Sequence, residues 1–321
     1  MRAVTIGNFD GAHLGHQALV ARARSLVSAA GEVIAVAFDP HPASVLRPGA
    51  EPPRLSTFDQ RARWLVAAGA DRVERLVPSQ ALLSSPPDEF IDHLCRDFHP
   101  AFIVEGPDFH FGKARAGNVE TLRTLGLRHA FRADIVPGVT ASLSDLLSTP
   151  VSSTIIRWLL SLGRVRDAAL LLARPYTIDA VVVRGDRRGR ELGFPTANLH
   201  SPNMLPADGV YAGRAILQDG RCFPAAVHVG PRATFDSPQR TIEAHLLDVP
   251  RDAPPATPPS AAIPGLTEYG WGMSLEFIAW VRDQIAFDSV PALVHRIRAD
   301  CDAVRHLLAK PAHPAATTSP R

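Results

Sequence analysis

The sequence predicts an α/β unit built on a parallel sheet, followed by an antiparallel β-barrel and a C-terminal helix. Three observations carry this. In the first half, short unbroken apolar runs alternate with amphipathic helical patterns, which is how parallel strands covered on both faces by crossover helices read. Beyond residue 173 the pattern turns to period-two alternation with hairpin turns. Near the end, apolar residues recur at helical spacing.

Val4-Thr5-Ile6 is the first strand, with a helix from about His13; Val33 to Phe38 is the next buried run, followed by a helix through Arg61 to Leu65, and Ala101 to Val104 is a further strand. Ligands of such sheets sit at the carboxyl ends of the strands. A helix starts around Ser152, with Ile155, Ile156, Leu159 and Leu160 on one face, and another short helical stretch runs from Ala168 to Leu172 before Arg174-Pro175-Tyr176. Val210 to Leu217 and Cys222 to Val229 flank Gln218-Asp219-Gly220-Arg221, whose Asp-Gly is a strong hairpin signal. The last helix starts near Ser289 and spaces Leu293, Val294, Ile297, Cys301, Val304, Leu307 and Leu308 along one side. Six prolines between Pro250 and Pro264 exclude a central strand and read as an exposed loop. The expected domains are 1–173 and 174–310, with 311–321 a disordered tail.

The 321 residues suit two domains, each with its own core. The 29 prolines are an excess, yet 46% hydrophobic residues exclude wholesale disorder. No run of about 18 apolar residues exists and the start carries no apolar signal core, so a membrane span and secretion are not expected. Cys95, Cys222 and Cys301 are widely separated, which supports neither a disulfide framework nor a zinc ribbon and places the chain in the cytoplasm. With 34 Lys+Arg against 32 Asp+Glu and arginines dispersed among acids, neither nucleic acid nor membrane is an expected partner, and nothing marks an oligomeric state.

Gly7-Asn8-Phe9-Asp10-Gly11-Ala12-His13-Leu14-Gly15-His16 joins the first strand to the first helix. Glycines let backbone approach a ligand closely, and a helix N-terminus offers free N–H groups and positive dipole to phosphate. His13 and His16 share a helix face and can donate to a triphosphate and steady a departing pyrophosphate; as an isolated pair they read equally as capping or surface residues. The whole string resembles the signature of nucleotidyltransferases that move adenylyl or cytidylyl groups. Class I aminoacyl-tRNA synthetases carry a related His-x-Gly-His, but their Lys-rich second signature is absent.

Val151-Ser152-Ser153-Thr154-Ile155-Ile156-Arg157 opens a helix with Thr154 and Arg157 three apart, a set that can hold phosphates or simply cap the helix and solvate its face. Gly106-Pro107-Asp108-Phe109-His110-Phe111-Gly112-Lys113 follows a strand end. Phe109 and Phe111 either flank an aromatic ligand or cover the core, and Lys113, one of only two lysines, can meet a phosphate. His41, in Phe38-Asp39-Pro40-His41-Pro42, reads as structural.

Arg184-Gly185-Asp186-Arg187-Arg188-Gly189-Arg190-Glu191-Leu192-Gly193-Phe194-Pro195-Thr196-Ala197-Asn198 is the most informative stretch of the second half. Its glycines permit a phosphate-wrapping loop, while Thr196 and Asn198, two apart on an extended segment, point the same way. Two neutral oxygens with nucleotide phosphates and waters make a Mg²⁺ site; a solvated arginine turn is the plainer reading. Glu243 and His245 share a face of the alternating segment Thr241 to Asp248. Glu243 is either an ordinary solvent-side acid or the base that accepts the proton of an attacking hydroxyl.

Taken together, GNFDGAHLGH, FDPHP, GPDFHFGK, VSSTIIR, ARPY, GDRRGRELGFPTANL, DGVYAG, TIEAHLLD and VRD closely resemble, in order and over nearly the whole chain, the bacterial bifunctional riboflavin kinase and FAD synthetase (FMN adenylyltransferase) family. The resemblance implies a Rossmann-like nucleotidyltransferase domain joined to a flavokinase β-barrel with a C-terminal helix. Riboflavin and ATP with Mg²⁺ would give FMN in the second module; FMN and a second ATP would give FAD and pyrophosphate in the first. It implies His13, His16 and Arg157 as the catalytic set of adenylyl transfer, with Ser153 and Thr154 beside them. Gly7, Phe9, Asp10, Gly11, Asp108, Phe109 and Lys113 would line the nucleotide or flavin. In the kinase, Gly185, Arg190 and Gly193 would contact nucleotide, Thr196 and Asn198 would hold Mg²⁺, Glu243 would be the base and Arg282 would approach the flavin.

Departures from the family pattern are Ala173 and Asp179 where glycines are usual, Arg164 for an aspartate, His228 for the asparagine of an Asn-x-Gly-x-x-Pro-Thr-Phe motif that here runs to Phe235, and Gln284 for a glutamate. The Pro-rich insertion is another, and the chain opens directly on the first strand. Most fall in the kinase half. Two other readings are therefore weighed: an adenylyltransferase with a degenerate kinase module, and a flavin- or nucleotide-binding regulator without turnover. Retention of Glu243, Thr196 and His13 speaks against the regulator.

Overall fold

The computed structural model describes residues 1–185, 187–231, 240–250, 263 and 265–309. The tail from 311, the Arg232 to Phe235 part of the departing motif, and nearly all of the expected Pro-rich loop lie outside the described residues. The chain divides into two compact units, one of Met1–Ala141 with Ser148–Ser153, the other of Ser142–Leu147 with the residues from Thr154 onward.

The first unit carries five parallel strands, β1 (Arg2–Gly7), β2 (Glu32–Phe38), β3 (Arg72–Leu76), β4 (Phe102–Glu105) and β5 (Arg132–Ile135), in the order β3-β2-β1-β4-β5. Its helices are α1 (Leu14–Leu26), α2 (Ala43–Leu46), α3 (Phe58–Ala67), α4 (Gln80–Ser84), α5 (Pro87–Phe98) and α6 (Val119–His129). The strands read as continuous apolar runs because both faces are covered. Val4, Ile6, Ile34, Val36 and Ile103 pack on Phe90, Ile91 and Leu94 of α5 and Leu122 of α6. On the other face, Ala3, Val33, Ala35 and Ala37 meet Val20 and Ala23 of α1 and Leu65 of α3. β2 and β3 are added on one side of β1 and β4 and β5 on the other, so the loops leaving β1 and β4 flank the crevice where ligands of such sheets bind.

Strands β6 (Thr140–Ser142) and β7 (Ser148–Pro150) form a two-stranded sheet, and α7 (Ser153–Ser161) and α8 (Val165–Leu172) follow. The boundary read from sequence near 173 puts these helices with the first domain; compactness groups them with the second, because α8 packs on barrel strands. Ala173 ends α8 in the left-handed conformation at φ +57°, which accounts for the family's glycine there.

The barrel comprises β8 (Tyr176–Val183), β9 (Ala197–His200), β10 (Gly209–Leu217), β11 (Cys222–Pro231), β12 (Arg240–Leu246) and β13 (Gly272–Arg282), closed in the order β10-β11-β12-β9-β8-β13, with the short helix α9 (Arg188–Glu191) ahead of β9. Ile178, Leu199, Val227, Val229, Ile242, Ala244 and Leu275 are buried, and Tyr211 meets Phe277 edge to face. The expected hairpin is present, with Leu217 N–H donating to the Arg221 carbonyl across the turn. The final helix, α10 (Val290–Ala309), packs Cys301 and Val304 on Ala212 of β10 and Ala279 of β13.

Candidate active sites

In the first unit, the loop leaving β1 turns through left-handed geometry at Phe9 (φ +49°), Gly11 (φ +81°) and Ala12 (φ +39°) to deliver His13 as the N-cap of α1. His13 and His16 stack with ring centroids 3.6 Å apart at 19°. A side chain on Gly15 would come within 3.2 Å of the His13 ring, so the glycine between the two histidines lets them stack. The Ser153 hydroxyl donates to the Asp10 carbonyl at 2.8 Å, which brings Ser153 to the same loop. Thr154 and Arg157 follow on α7, one turn apart, within the second unit.

Two residues expected to meet a ligand do something else. Phe9 is 1% exposed, sits in the core and packs edge to face with His16, ring centroids 5.1 Å apart. The Asp10 carboxylate accepts from the backbone N–H groups of Leu55 and Ser56 and from the Ser56 hydroxyl, while Gly11 N–H donates to that hydroxyl. Asp10 therefore folds the loop onto residues 55–56. Arg61, read from sequence only as a helix residue, proves to be its anchor: the buried guanidinium donates to the carbonyls of Asn8 (2.5 Å) and Phe38 (2.8 Å) and to the Asp39 carboxylate (2.6 Å). His41, read from sequence as structural, has Nδ1 accepting Ala43 N–H and Nε2 facing the Asn8 amide.

Leaving β4, Asp108 and Lys113 are exposed. Phe109 stacks on Phe111, and Phe111 is buried against Phe90, so these aromatics cover the core and do not bracket a ring between them. The last residue of β4, Glu105, was not singled out by its sequence context. It is fully buried, accepts from Ile6 N–H at 2.6 Å, and burial pushes its carboxyl well above the usual carboxylate range.

In the second unit, Thr196 and Asn198 converge on one loop. A side chain on Gly185 would overlap the Asn198 amide, and one on Gly189 would meet the Phe194 carbonyl at 2.5 Å and the Thr196 hydroxyl at 3.0 Å. Gly193 turns at φ +85°. Glu243 stands directly across from Asn198 on β9 and from His228 on β11, so the three side chains share one face, opposite to the buried Ile242, Ala244 and Val227. The His245 Nδ1–H donates to the Pro195 carbonyl, holding the residue before Thr196. Oxygen donors from a hydroxyl and an amide suit a hard cation that keeps waters and phosphate oxygens, and among the described residues no group of three or more His, Cys, Asp or Glu gathers to hold a metal.

Arg190 and Arg187 donate to Glu268, and Arg187 also to the Tyr269 hydroxyl, an acidic partner that the arginine-rich stretch did not reveal. Arg282 is oriented by Asp300 of α10, a 4% exposed carboxylate that takes its Nε and Nη2 at 3.0 and 2.7 Å and also receives Arg296. Of the other departures, Arg164 pairs with Asp145 and Asp167, and Asp179 accepts from the Ser274 hydroxyl.

A parallel sheet whose first loop opens a histidine-bearing helix, in one chain with a closed barrel that sets a carboxylate beside a hydroxyl and an amide over a glycine loop, defines a two-module transferase of nucleotide phosphates. The FAD synthetase family model matches residues 1–154 and the riboflavin kinase model residues 172–308. A bifunctional riboflavin kinase/FMN adenylyltransferase of Pseudomonas fluorescens is 34% identical over 96% of this chain and 94% of its own length, and one of Listeria monocytogenes is 30% identical over 96% and 93%. A solved structure described as a macrolide-efflux protein from Streptococcus pneumoniae superposes with a TM-score of 0.79 at 28% identity, covering 95% of this chain and 93% of that one. The chain belongs to the bifunctional riboflavin kinase/FMN adenylyltransferase family. No helix among the described residues is long and apolar enough to cross a membrane.

Proposed function

We propose that the chain makes flavin cofactors in two steps: the barrel module, 174–310, phosphorylates riboflavin to FMN with ATP, and the α/β module, 1–173, transfers an adenylyl group from a second ATP to FMN, giving FAD and pyrophosphate. The observation that carries this reading is the presence, in one chain matched over 96% of its length by relatives of that description, of both residue sets.

In the kinase, the riboflavin 5′-hydroxyl loses its proton to Glu243 as its oxygen bonds to the γ-phosphorus and ADP leaves. The transition state is loose, so holding the hydroxyl in line matters more than base strength. Thr196 and Asn198 would hold Mg²⁺, which neutralises charge on the phosphates when bound. The Gly185 to Gly193 loop, with Arg190, wraps the nucleotide tail; Arg282, oriented by Asp300, serves the flavin side.

In the adenylyltransferase, an oxygen of the FMN phosphate bonds to the α-phosphorus as the bond to pyrophosphate breaks, without a covalent enzyme intermediate. The stacked His13 and His16 at the head of α1 hold the developing negative charge, with Ser153 beside the loop. Asp108 and Lys113 are exposed where β4 ends, on the ligand side of the sheet. The cytoplasm suits a chain whose three cysteines are all free.

Purified protein incubated with riboflavin, ATP and Mg²⁺, with the flavins then separated, yields both FMN and FAD on this reading. Absence of both ends it. Conversion of supplied FMN to FAD with riboflavin untouched leaves an adenylyltransferase alone.

A further inference from the structure

Two of the residues that depart from the family pattern, His228 and Gln284, meet at one place on the barrel. Cross-strand register builds a row on its outer face: Asn198 on β9 lies opposite Glu243 on β12, Glu243 opposite His228 on β11, His228 opposite Val210 on β10, and Val210 opposite Arg282 on β13. Directly opposed side chains share a face and stand close enough to touch one molecule, since neighbouring strands are about 4.8 Å apart. His228 thus fills the position next to the base on the side away from the Thr196/Asn198 pair, between Glu243 and Arg282. The ring is half-buried, and its electrostatic neighbours are Glu243, Arg282 and Asp208. Two residues on, Gly230 leaves the space in which the rest of the wall closes: a side chain there would lie 2.8 Å from Gln284 Oε1 and 3.1 Å from His228 Cε1.

The order of the row has a chemical meaning, resting on the kinase reading above. The phosphates belong at the Asn198 end and the attacking hydroxyl at Glu243. What continues past Glu243 is the remainder of the molecule carrying that hydroxyl, a polyol chain whose neighbouring hydroxyl sits one carbon away. We infer that His228 is a substrate-binding residue of the kinase, hydrogen-bonding the ribityl hydroxyl adjacent to the one phosphorylated and so setting the 5′-oxygen against Glu243, with Gln284 closing the wall beside it. A neutral imidazole both donates and accepts, which matches a hydroxyl, and burial lowers the pKa of His228 below its ordinary value, favouring that form.

The test is steady-state phosphorylation of riboflavin by the full chain, with FMN adenylylation followed in the same preparations. Loss of one hydrogen bond in H228A raises KM for riboflavin roughly tenfold and leaves KM for ATP unchanged. H228Q, which keeps a donor and an acceptor at similar reach, returns to within about threefold of the parent. Adenylylation is unaltered in both. Constants of H228A within about twofold of the parent, a loss falling on KM for ATP, or an H228Q no better than H228A each overturn the assignment. Titrating riboflavin fluorescence with protein in the absence of ATP reads the same contact without turnover. Equal affinity of parent and H228A refutes the contact, whereas weakened binding in H228A with no phosphorylation by the parent refutes only the kinase reading.

Discussion

At the scale of single residues, what the sequence displayed was residue type and spacing, and what it concealed was partnership across the fold. His13 and His16 were legible because three residues on a helix already place two side chains on one face, and the structure stacks them. Asp10 was not: the donors that consume its carboxylate come from Leu55 and Ser56, some 45 residues away. Likewise nothing near Arg282 announces Asp300. Glu105 is the clearest such case, an acid ending an apolar strand whose carboxyl burial pushes well above the usual carboxylate range. Its folded-state pKa lies above the ordinary 4.5, so the stability it contributes is complete below that pH and is lost as pH rises toward the folded value. E105Q, which copies the protonated form, is expected to match the parent's melting temperature near pH 4 and to exceed it progressively toward pH 8. A gap that stays constant across that range would refute the upward shift.

Among elements, those with a regular local signal were readable: β1 and β2 as buried apolar runs, the hairpin β10-β11 by its Asp-Gly turn, and α10 by apolar residues at helical spacing. Strands β3 and β5 were missed, since Arg72-Val73-Glu74-Arg75-Leu76 and Arg132-Ala133-Asp134-Ile135 carry charges at the two edges of the sheet, where only one neighbour pairs with them. Charged edges discourage pairing with other chains and also erase the apolar signature. The closure of α10 against β13 rests partly on apolar packing through Cys301 and Val304 and partly on Asp300, which receives two arginines. Removing one partner of a buried ion pair leaves uncompensated charge, so D300A should cost about 3 kcal/mol in a denaturant titration, and riboflavin phosphorylation should fall with the release of Arg282. An unchanged midpoint would mean that the helix is held by packing alone.

For the whole molecule, His13 and His16 belong to one compact unit and Thr196, Asn198 and Glu243 to the other, and so the two activities should be separable by single substitutions. H13Q is expected to abolish FAD formation from FMN by a factor of at least about 100 while riboflavin phosphorylation continues, and E243Q to do the reverse. Mixing the two variants with riboflavin and ATP should restore FAD, since FMN released by one is substrate for the other; a mixture that stops at FMN would argue against two independent catalytic centres. The pairing of Asn198, Glu243 and His228 across three strands carries a consequence for how this gene can change. In a pleated strand, odd and even positions face opposite ways, so deleting a single codon within β12 would rotate the carboxylate into the barrel's oily interior and bring Ala244 out in its place. Such a lineage would lose phosphorylation and barrel integrity in one event, so length variation in this strand should survive only in steps of two.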